Sequence, residues 1–395
     1  MEGYKILKEK SLLLNGEYSI REINELEEFE SLRTEWDIVA NNQVIYKPFL
    51  CFEWFKKSID HFLGKNRILI LLLYEQENIR AIAPFVIKAE RFKGVFTRKA
   101  ELIGNVYSPI RTFLFKEMDS EIREKETKLL LKYFSNMNHN WDVIDLHSIP
   151  EEYDTFRICR KALEINNFIF MEYFSSANWY SDLITHSSEN YFKERSKNLR
   201  ASIKKNYRNA RSKGNLEFKM ITGADDIDGY IEKYFEVYGK SWKGEEKVGK
   251  RYLIEWIKFA AQSGWLRLGL VLLDGVMIGV GFALVCDGFA YLAKTAYDEK
   301  YGEIGPGSIW LVEMLKYVID VDKVKEIDLM RGDEAYKKLW VAKRRERKGL
   351  LIFNKNVKGK YLSVLNQYVL PSLNRNERLR RVKEFVKSLS RQKVQ

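Results

Sequence analysis

Apolar positions along the chain switch repeatedly between a spacing of two and a spacing of three to four, and each switch marks a change from strand to helix. Residues 18–23 read as a first strand. A helix over 26–41 follows, with Leu26, Phe29, Leu32, Trp36 and Val39 on one side, and after Pro48 a second helix covers 52–62. Two strands over 67–74 and 79–88 are joined by the Glu75-Gln76-Glu77-Asn78 turn. Strand-like segments at 100–104 and 112–115, a helix over 120–137, a strand of buried type over 143–149, a helix over 153–165 and a strand over 168–174 complete the series. This order predicts a mixed α/β layer fold.

The second half repeats that order. Residues 216–221 read as a strand, 225–242 and 251–262 as helices, and 266–285 as two strands about the Asp274-Gly275 turn. Ala81 and Gly279 correspond at an offset of 198, while Ile144-Asp145-Leu146 and Ile327-Asp328-Leu329 correspond at 183, a difference that loop length absorbs. The expectation is a tandem duplication: an N-terminal domain over 1–180, a basic helical connector over 181–215, a C-terminal domain over 216–358, and a basic helical tail over 359–395.

Charge sharpens this division. The chain has 395 residues and a net charge of +12, but residues 193–213 carry +8 and residues 374–395 carry +6, so the rest sums to −2. Any anionic partner therefore meets these two segments rather than the body. In the connector, Leu199, Ile203, Tyr207 and Ala210 make a narrow apolar stripe with charge on the other sides, which suits either a solvated helix or an anionic ligand. In the tail, Leu379, Val382, Phe385, Val386 and Leu389 form a stripe bordered by Arg378, Arg380, Arg381, Lys383 and Lys387. That pattern fits a helix docked on the second domain or one lying at the inner face of an anionic membrane. Three dispersed cysteines, no metal-ligand spacing, and no apolar run of spanning length point to a cytoplasmic protein without zinc.

The chemistry concentrates between Lys294 and Trp340. A strand ending at Tyr297 feeds a glycine-rich turn, a helix opening at Gly307, a second strand over 326–330, and a short helix after Arg331-Gly332-Asp333. Gly305 and Pro306 fix where the long helix starts. Such a turn aims free N–H groups and a positive dipole end at one point, an arrangement that serves either an anion or an ordinary helix start.

The run LRASIKKNYRNARSKG, the strand pair about Asp274-Gly275, the stretch KTAYDEKYGEIGPGSIWL and the ending RGDEAYKKLW together resemble the GNAT-type acyltransferases of the CelD/BcsL-like branch, associated with cellulose and polysaccharide biosynthesis and related to the Fem-type aminoacyltransferases of peptidoglycan. The resemblance is best over residues 180–353. It implies two tandem GNAT-like domains, each a mixed twisted sheet flanked by helices, with an acyl donor held by the second. Acyl-coenzyme A would be that donor, its phosphates on Gly302, Gly305, Gly307 and Ser308. Gly302 stands where the family has glutamine or arginine, and Pro306 removes one N–H.

Acyl transfer needs a neutral nucleophile, donors for the developing oxyanion, and a proton for the leaving group. Gly279 and Gly281 are candidates to present backbone N–H groups to the carbonyl, or else they simply pack under a helix. Asp333, Tyr336, Asp298 and Tyr297 are candidates for proton transfer, Asp333 being alternatively the N-cap of the helix that follows it. Lys294, Arg331, Lys337 and Trp340 are candidates for substrate contact. The expected acceptor is an amine or hydroxyl on an amino sugar, polysaccharide or cell-envelope precursor. Transfer from aminoacyl-tRNA and a non-catalytic module that binds nucleic acid through the basic helix are the alternatives.

Overall fold

The computed structural model describes residues 11–13, 17–43, 45–136, 141–183, 187–244, 246 and 249–369. The first series of elements is β1 (Ser11–Leu13), β2 (Tyr18–Ile23), α1 (Leu26–Glu30), α2 (Arg33–Ala40), α3 (Phe52–Phe62), β3 (Arg67–Glu75), β4 (Asn78–Phe92), β5 (Val95–Leu102), β6 (Leu114–Phe115), α4 (Ser120–Asn136), β7 (Val143–Ile149), α5 (Thr155–Ile165) and β8 (Ile169–Asp182). Two helices, α6 (Ser188–Lys193) and α7 (Lys197–Lys213), lead to the second series. It comprises β9 (Leu216–Ile221), α8 (Ile227–Gly239), α9 (Lys250–Gln262), β10 (Leu266–Leu273), β11 (Val276–Cys286), β12 (Phe289–Tyr297), α10 (Pro306–Asp320), β13 (Glu326–Arg331), α11 (Lys337–Trp340), β14 (Lys343–Phe353) and α12 (Val357–Val364). The single helix expected over 26–41 is two. It breaks at Ser31, whose hydroxyl donates back to the Glu28 carbonyl (2.7 Å) and competes with the helical ladder. The amphipathic tail helix expected around 379–389 lies outside the described residues.

The strands join in one mixed sheet in the order β1-β2-β3-β4-β5-β7-β14-β8-β13-β12-β11-β10-β9, with β6 on β4. Within it β2-β3-β4-β5-β7 and β9-β10-β11-β12-β13 have the same succession: antiparallel neighbours, then one parallel pair. The repeat extends to register. The β3–β4 ladder shifts between Leu73 and Tyr74 and the β10–β11 ladder between Val271 and Leu272, at the same offset of 198 as Ala81 and Gly279. Ala100 pairs with Ile144 as Ala290 pairs with Ile327. The fold is thus a tandem of two halves with the same strand order and register.

The last strands of the halves are exchanged. β14 lies against β7 of the first half, β8 lies against β13 of the second, and β8 and β14 pair with each other along Lys343–Tyr180 to Phe353–Ile169. Residue 180 therefore falls inside a strand that belongs to both halves of the sheet. One face of the sheet carries a core shared by both halves, in which Trp36, Trp54 and Ile70 join Tyr252, Trp256 and Phe282. On the other face α4 and α5 cover the first half, and α10 with α7 covers the second.

Candidate active site

Parallel strands β12 and β13 are paired only at Phe289–Glu326, Ala290–Ile327 and Tyr291–Asp328, after which they part. Two irregularities keep them apart. The β11–β12 ladder shifts between Phe282 and Ala283, and Met330 takes a left-handed φ of 58°, a conformation that must be held by its surroundings. It is held: the Met330 N–H donates to Asp328 Oδ1 (2.6 Å), and its carbonyl accepts from Asn178 Nδ2 (3.2 Å) and Lys337 Nζ (3.4 Å).

At the open end lies a cavity of about 290 Å³ lined by both halves. The first half supplies Phe49, Trp54 and Tyr107; the second supplies Trp256, Lys294, Met330 and Arg331. Trp54 meets Trp256 edge-on at 4.7 Å, and Tyr107 stacks on Tyr252 at 5.7 Å. Lys294 is the polar centre of this aromatic wall. Its ammonium lies 4.7 Å from the Tyr107 ring and 5.1 Å from that of Tyr238, and it ion-pairs with Glu246. Burial, and then the Glu246 carboxylate, push the Tyr238 phenol up to about 12. Burial, and then Lys294, lower the neighbouring Lys243 ammonium below its ordinary value. A carboxylate and an ammonium thus sit together at the mouth of an aromatic cleft.

The glycine turn forms the start of α10. Gly305 has φ 72°, Pro306 occupies the first helical position, and no side chain caps the helix. The N–H groups of Ser308 and Ile309 bond to the Gly305 carbonyl (3.0 and 3.1 Å). With no N–H on Pro306, the first turn offers that of Gly307 to an anion. Tyr297 stands beside this turn, its ring 3.3 Å from where a Gly307 Cβ would lie. Asp298 caps the short turn before it, accepting from the Lys300 N–H (3.0 Å).

The other candidates fall elsewhere. Gly279 and Gly281 lie under α10: a Cβ on Gly281 would come within 2.6 Å of the Trp310 indole, and one on Gly279 within 3.1 Å of Pro306. Trp310 Nε1 donates to the carbonyls of Gly269 (3.1 Å) and Gly281 (3.2 Å). Asp333 is not an N-cap, because α11 begins at Lys337 after Tyr336. Its carboxylate accepts from Trp179 Nε1 (2.7 Å) and pairs with Arg344 (3.1 Å), contacts that hold its pKa below the usual value. Tyr336 is about half exposed. Lys337 is buried and donates to the Arg331 carbonyl (2.9 Å), which fixes the end of β13. The Trp340 ring is buried in the second-half core, and its carbonyl accepts from Arg195 (3.0 Å).

Sequence reading missed two groups. One is Glu246 with its aromatic neighbours. The other is a buried polar cluster where the exchanged strands meet. Arg345 reaches Asp328 (2.8 Å), Glu326 (2.8 Å), Glu152 (3.0 Å) and the Tyr46 hydroxyl (2.8 Å), while the fully buried Arg347 reaches Glu152 (2.9 Å). Asn178 donates to Asp328 (2.6 Å), and Tyr46 to the other oxygen (2.8 Å). The signal was present in the alternation of Arg345, Arg347 and Gly349 along β14, which places both arginines on one face.

The first half has the same strand parting but not the same opening. After Glu101–Asp145, β5 and β7 separate, and Arg111 fills the gap by bonding to the carbonyls of Leu102 (2.7 Å) and, through its N–H, Ser148 (3.0 Å). The start of α4 is capped by Asp119, which accepts from the Glu121 and Ile122 N–H groups (2.9 and 3.0 Å) and repels an anion. Among the described residues, the second half leaves its strand opening free and the helix that follows it uncapped.

The strand order and the parted strand pair have a GNAT-like architecture. Residues 197–338 match the acetyltransferase (GNAT) domain family. No curated protein matches the chain. Among solved structures the chain is similar to FemX, with a TM-score of 0.58 at 10% identity over 84% of this chain and 98% of FemX. It is also similar to L-PGS from Bacillus licheniformis (0.47, 11%, 87% and 96%) and to a tandem GNAT protein from the clavulanic acid biosynthesis pathway (0.44, 10%, 85% and 99%). Among the described residues no group of three or more His, Cys, Asp or Glu is arranged to hold a metal, and no helix is long and apolar enough to cross a membrane.

Proposed function

We propose that the chain transfers an acyl group from a phosphate-bearing donor, acyl-coenzyme A, to an amine or hydroxyl of an amino sugar or related envelope saccharide. The observation that carries this reading is the parting of β12 from β13 next to an uncapped helix start. A donor threaded through the opening places its phosphates on the first turn of α10, at the Gly307 N–H between Gly305 and Ser308, and its acyl group in the cavity beside Lys294. The aromatic walls suit the apolar faces of a sugar ring. Glu246 accepts the acceptor's proton as the acceptor nitrogen or oxygen attacks the thioester carbonyl, and Lys294 holds that carboxylate in place and offers positive charge to the oxyanion. As the C–S bond breaks, coenzyme A leaves as a thiolate that takes the proton back from Glu246. Tyr297 flanks the donor turn, and Arg331 lies at the cavity rim, where it meets an anionic group of the acceptor. The division into domains at 1–180 and 216–358 belongs to the same proposal, with the exchanged strands as the seam.

Aminoacyl-tRNA is the competing donor, favoured by the uncompensated charge of α7. Incubating the protein with acetyl-coenzyme A or with charged tRNA, each with a panel of amino sugars, and following product mass separates the two. Acetylated sugar from the first, lost in Glu246→Gln, is the expected result. Transfer from tRNA alone overturns the coenzyme reading.

A further inference from the structure

A groove of about 770 Å³ runs between α7, α6 and α10, and the chemistry proposed above makes no use of it. Its floor is apolar, formed by Phe192 of α6, Ile203 of α7 and Val312 of α10. Its border is cationic. Arg200, Lys204, Arg208 and Arg211 recur at three and four along α7 and share one face, with Lys316 opposite on α10. The nearby carboxylates are already engaged: Glu189 pairs with Lys193 (2.7 Å), and Glu313 is shared by Lys316 (2.9 Å) and the Tyr207 hydroxyl.

Among the described residues Arg200, Lys204 and Arg208 form no ion pair. Arg200 Nε is shut away from water with no hydrogen-bond acceptor, an arrangement that costs free energy until an anion completes it. An apolar trough bordered by uncompensated guanidinium and ammonium groups calls for a ligand with hydrocarbon and anionic oxygens on one molecule. A free phosphate would leave the floor bare. A nucleic acid would satisfy the cations but set ribose and phosphate over aliphatic carbon, and the one tyrosine ring in the groove has its hydroxyl tied to Glu313.

We propose that the groove seats a phospholipid of an anionic membrane, with the phosphate on Arg200, Lys204 and Arg208 and the first chain methylenes over Phe192, Ile203 and Val312. Membrane contact is thereby assigned to the α7 face, independently of the basic segment at 374–395.

The test is co-sedimentation of the full chain with vesicles of phosphatidylcholine, with or without phosphatidylglycerol. Lys204→Glu/Arg208→Glu alters two exposed side chains and Ile203→Thr makes the floor smaller and more polar, with melting curves confirming that both fold. Wild type is expected to sediment with phosphatidylglycerol vesicles only. The double charge reversal should lower that partition about tenfold or more, and Ile203→Thr about threefold. Three results overturn the proposal. One is no sedimentation of wild type, and another is equal sedimentation of wild type and the double variant, which would place the contact elsewhere. The third is loss in the double variant with none in Ile203→Thr, together with displacement of wild type by tRNA, which would make the groove a polyanion site.

Discussion

Tyr291 and Asp328 are the last residues at which β12 and β13 face each other as a pair. Beyond them the sheet opens, and Lys294 of β12 and Met330 of β13 line the aromatic cavity at the opening. In the first half the corresponding residues, Glu101 and Asp145, end an identical ladder whose opening is filled by Arg111. The opening is left free in the second half and filled in the first.

The polar cluster around Asp328 is expected to hold the exchanged strands in place. A buried carboxylate facing Arg345, Tyr46 and Asn178 leaves those groups unpaired when it is removed. Asp328→Ala should lower unfolding stability by about 3–5 kcal/mol. Chemical denaturation checks this, and a loss below about 1 kcal/mol would show that the cluster does not tie the exchanged strands together.

Gly281 gives a sharper test of packing against chemistry. Its missing Cβ is what lets the Trp310 indole lie against β11, so Gly281→Ala should cost about 1–3 kcal/mol through overpacking. If Gly281 instead serves the acyl carbonyl, the melting temperature will stay constant while turnover falls.

The stability of the first half should respond to pH in a way set by Glu126. Burial pushes this carboxyl up to about 7 against the pull of Arg80. The folded state therefore binds the proton more tightly than the unfolded one. The stabilisation that protonation brings is present below the ordinary carboxyl range, and it is lost as pH rises through about 7. Glu126→Gln should flatten the fall in melting temperature between pH 5 and 8. Parallel pH profiles for wild type and variant would assign that fall to other groups.

Much of this molecule is legible in its sequence, for identifiable reasons. The strand pair about Asp274-Gly275 and the helix from Pro306 are set by local pattern and turn chemistry, and the duplication shows because Ile144 and Ile327 start the same buried strand. The exchange of β8 and β14 leaves no such trace, since either strand could have closed its own half with the same alternation. Nor did spacing reveal Glu246, which meets Lys294 and Tyr107 only after loops from both halves converge. Asp333 has two readings in the sequence, a group for proton transfer and a helix cap, and the structure removes the cap, because α11 begins at Lys337. Its carboxylate pairs with Arg344, a strand residue brought beside it by the chain's return.

The central claim is that the start of α10 holds the donor's phosphates. Titrating acetyl-coenzyme A into wild type and Gly307→Val by calorimetry tests it most directly, because the branched side chain stands at the N–H the phosphates would use. Binding to wild type is expected, with affinity weakened at least about tenfold in the variant, whose melting curve must still show a cooperative folded state because valine crowds the Tyr297 ring. Equal affinity in the two proteins, or no binding to wild type while charged tRNA binds, would contradict it.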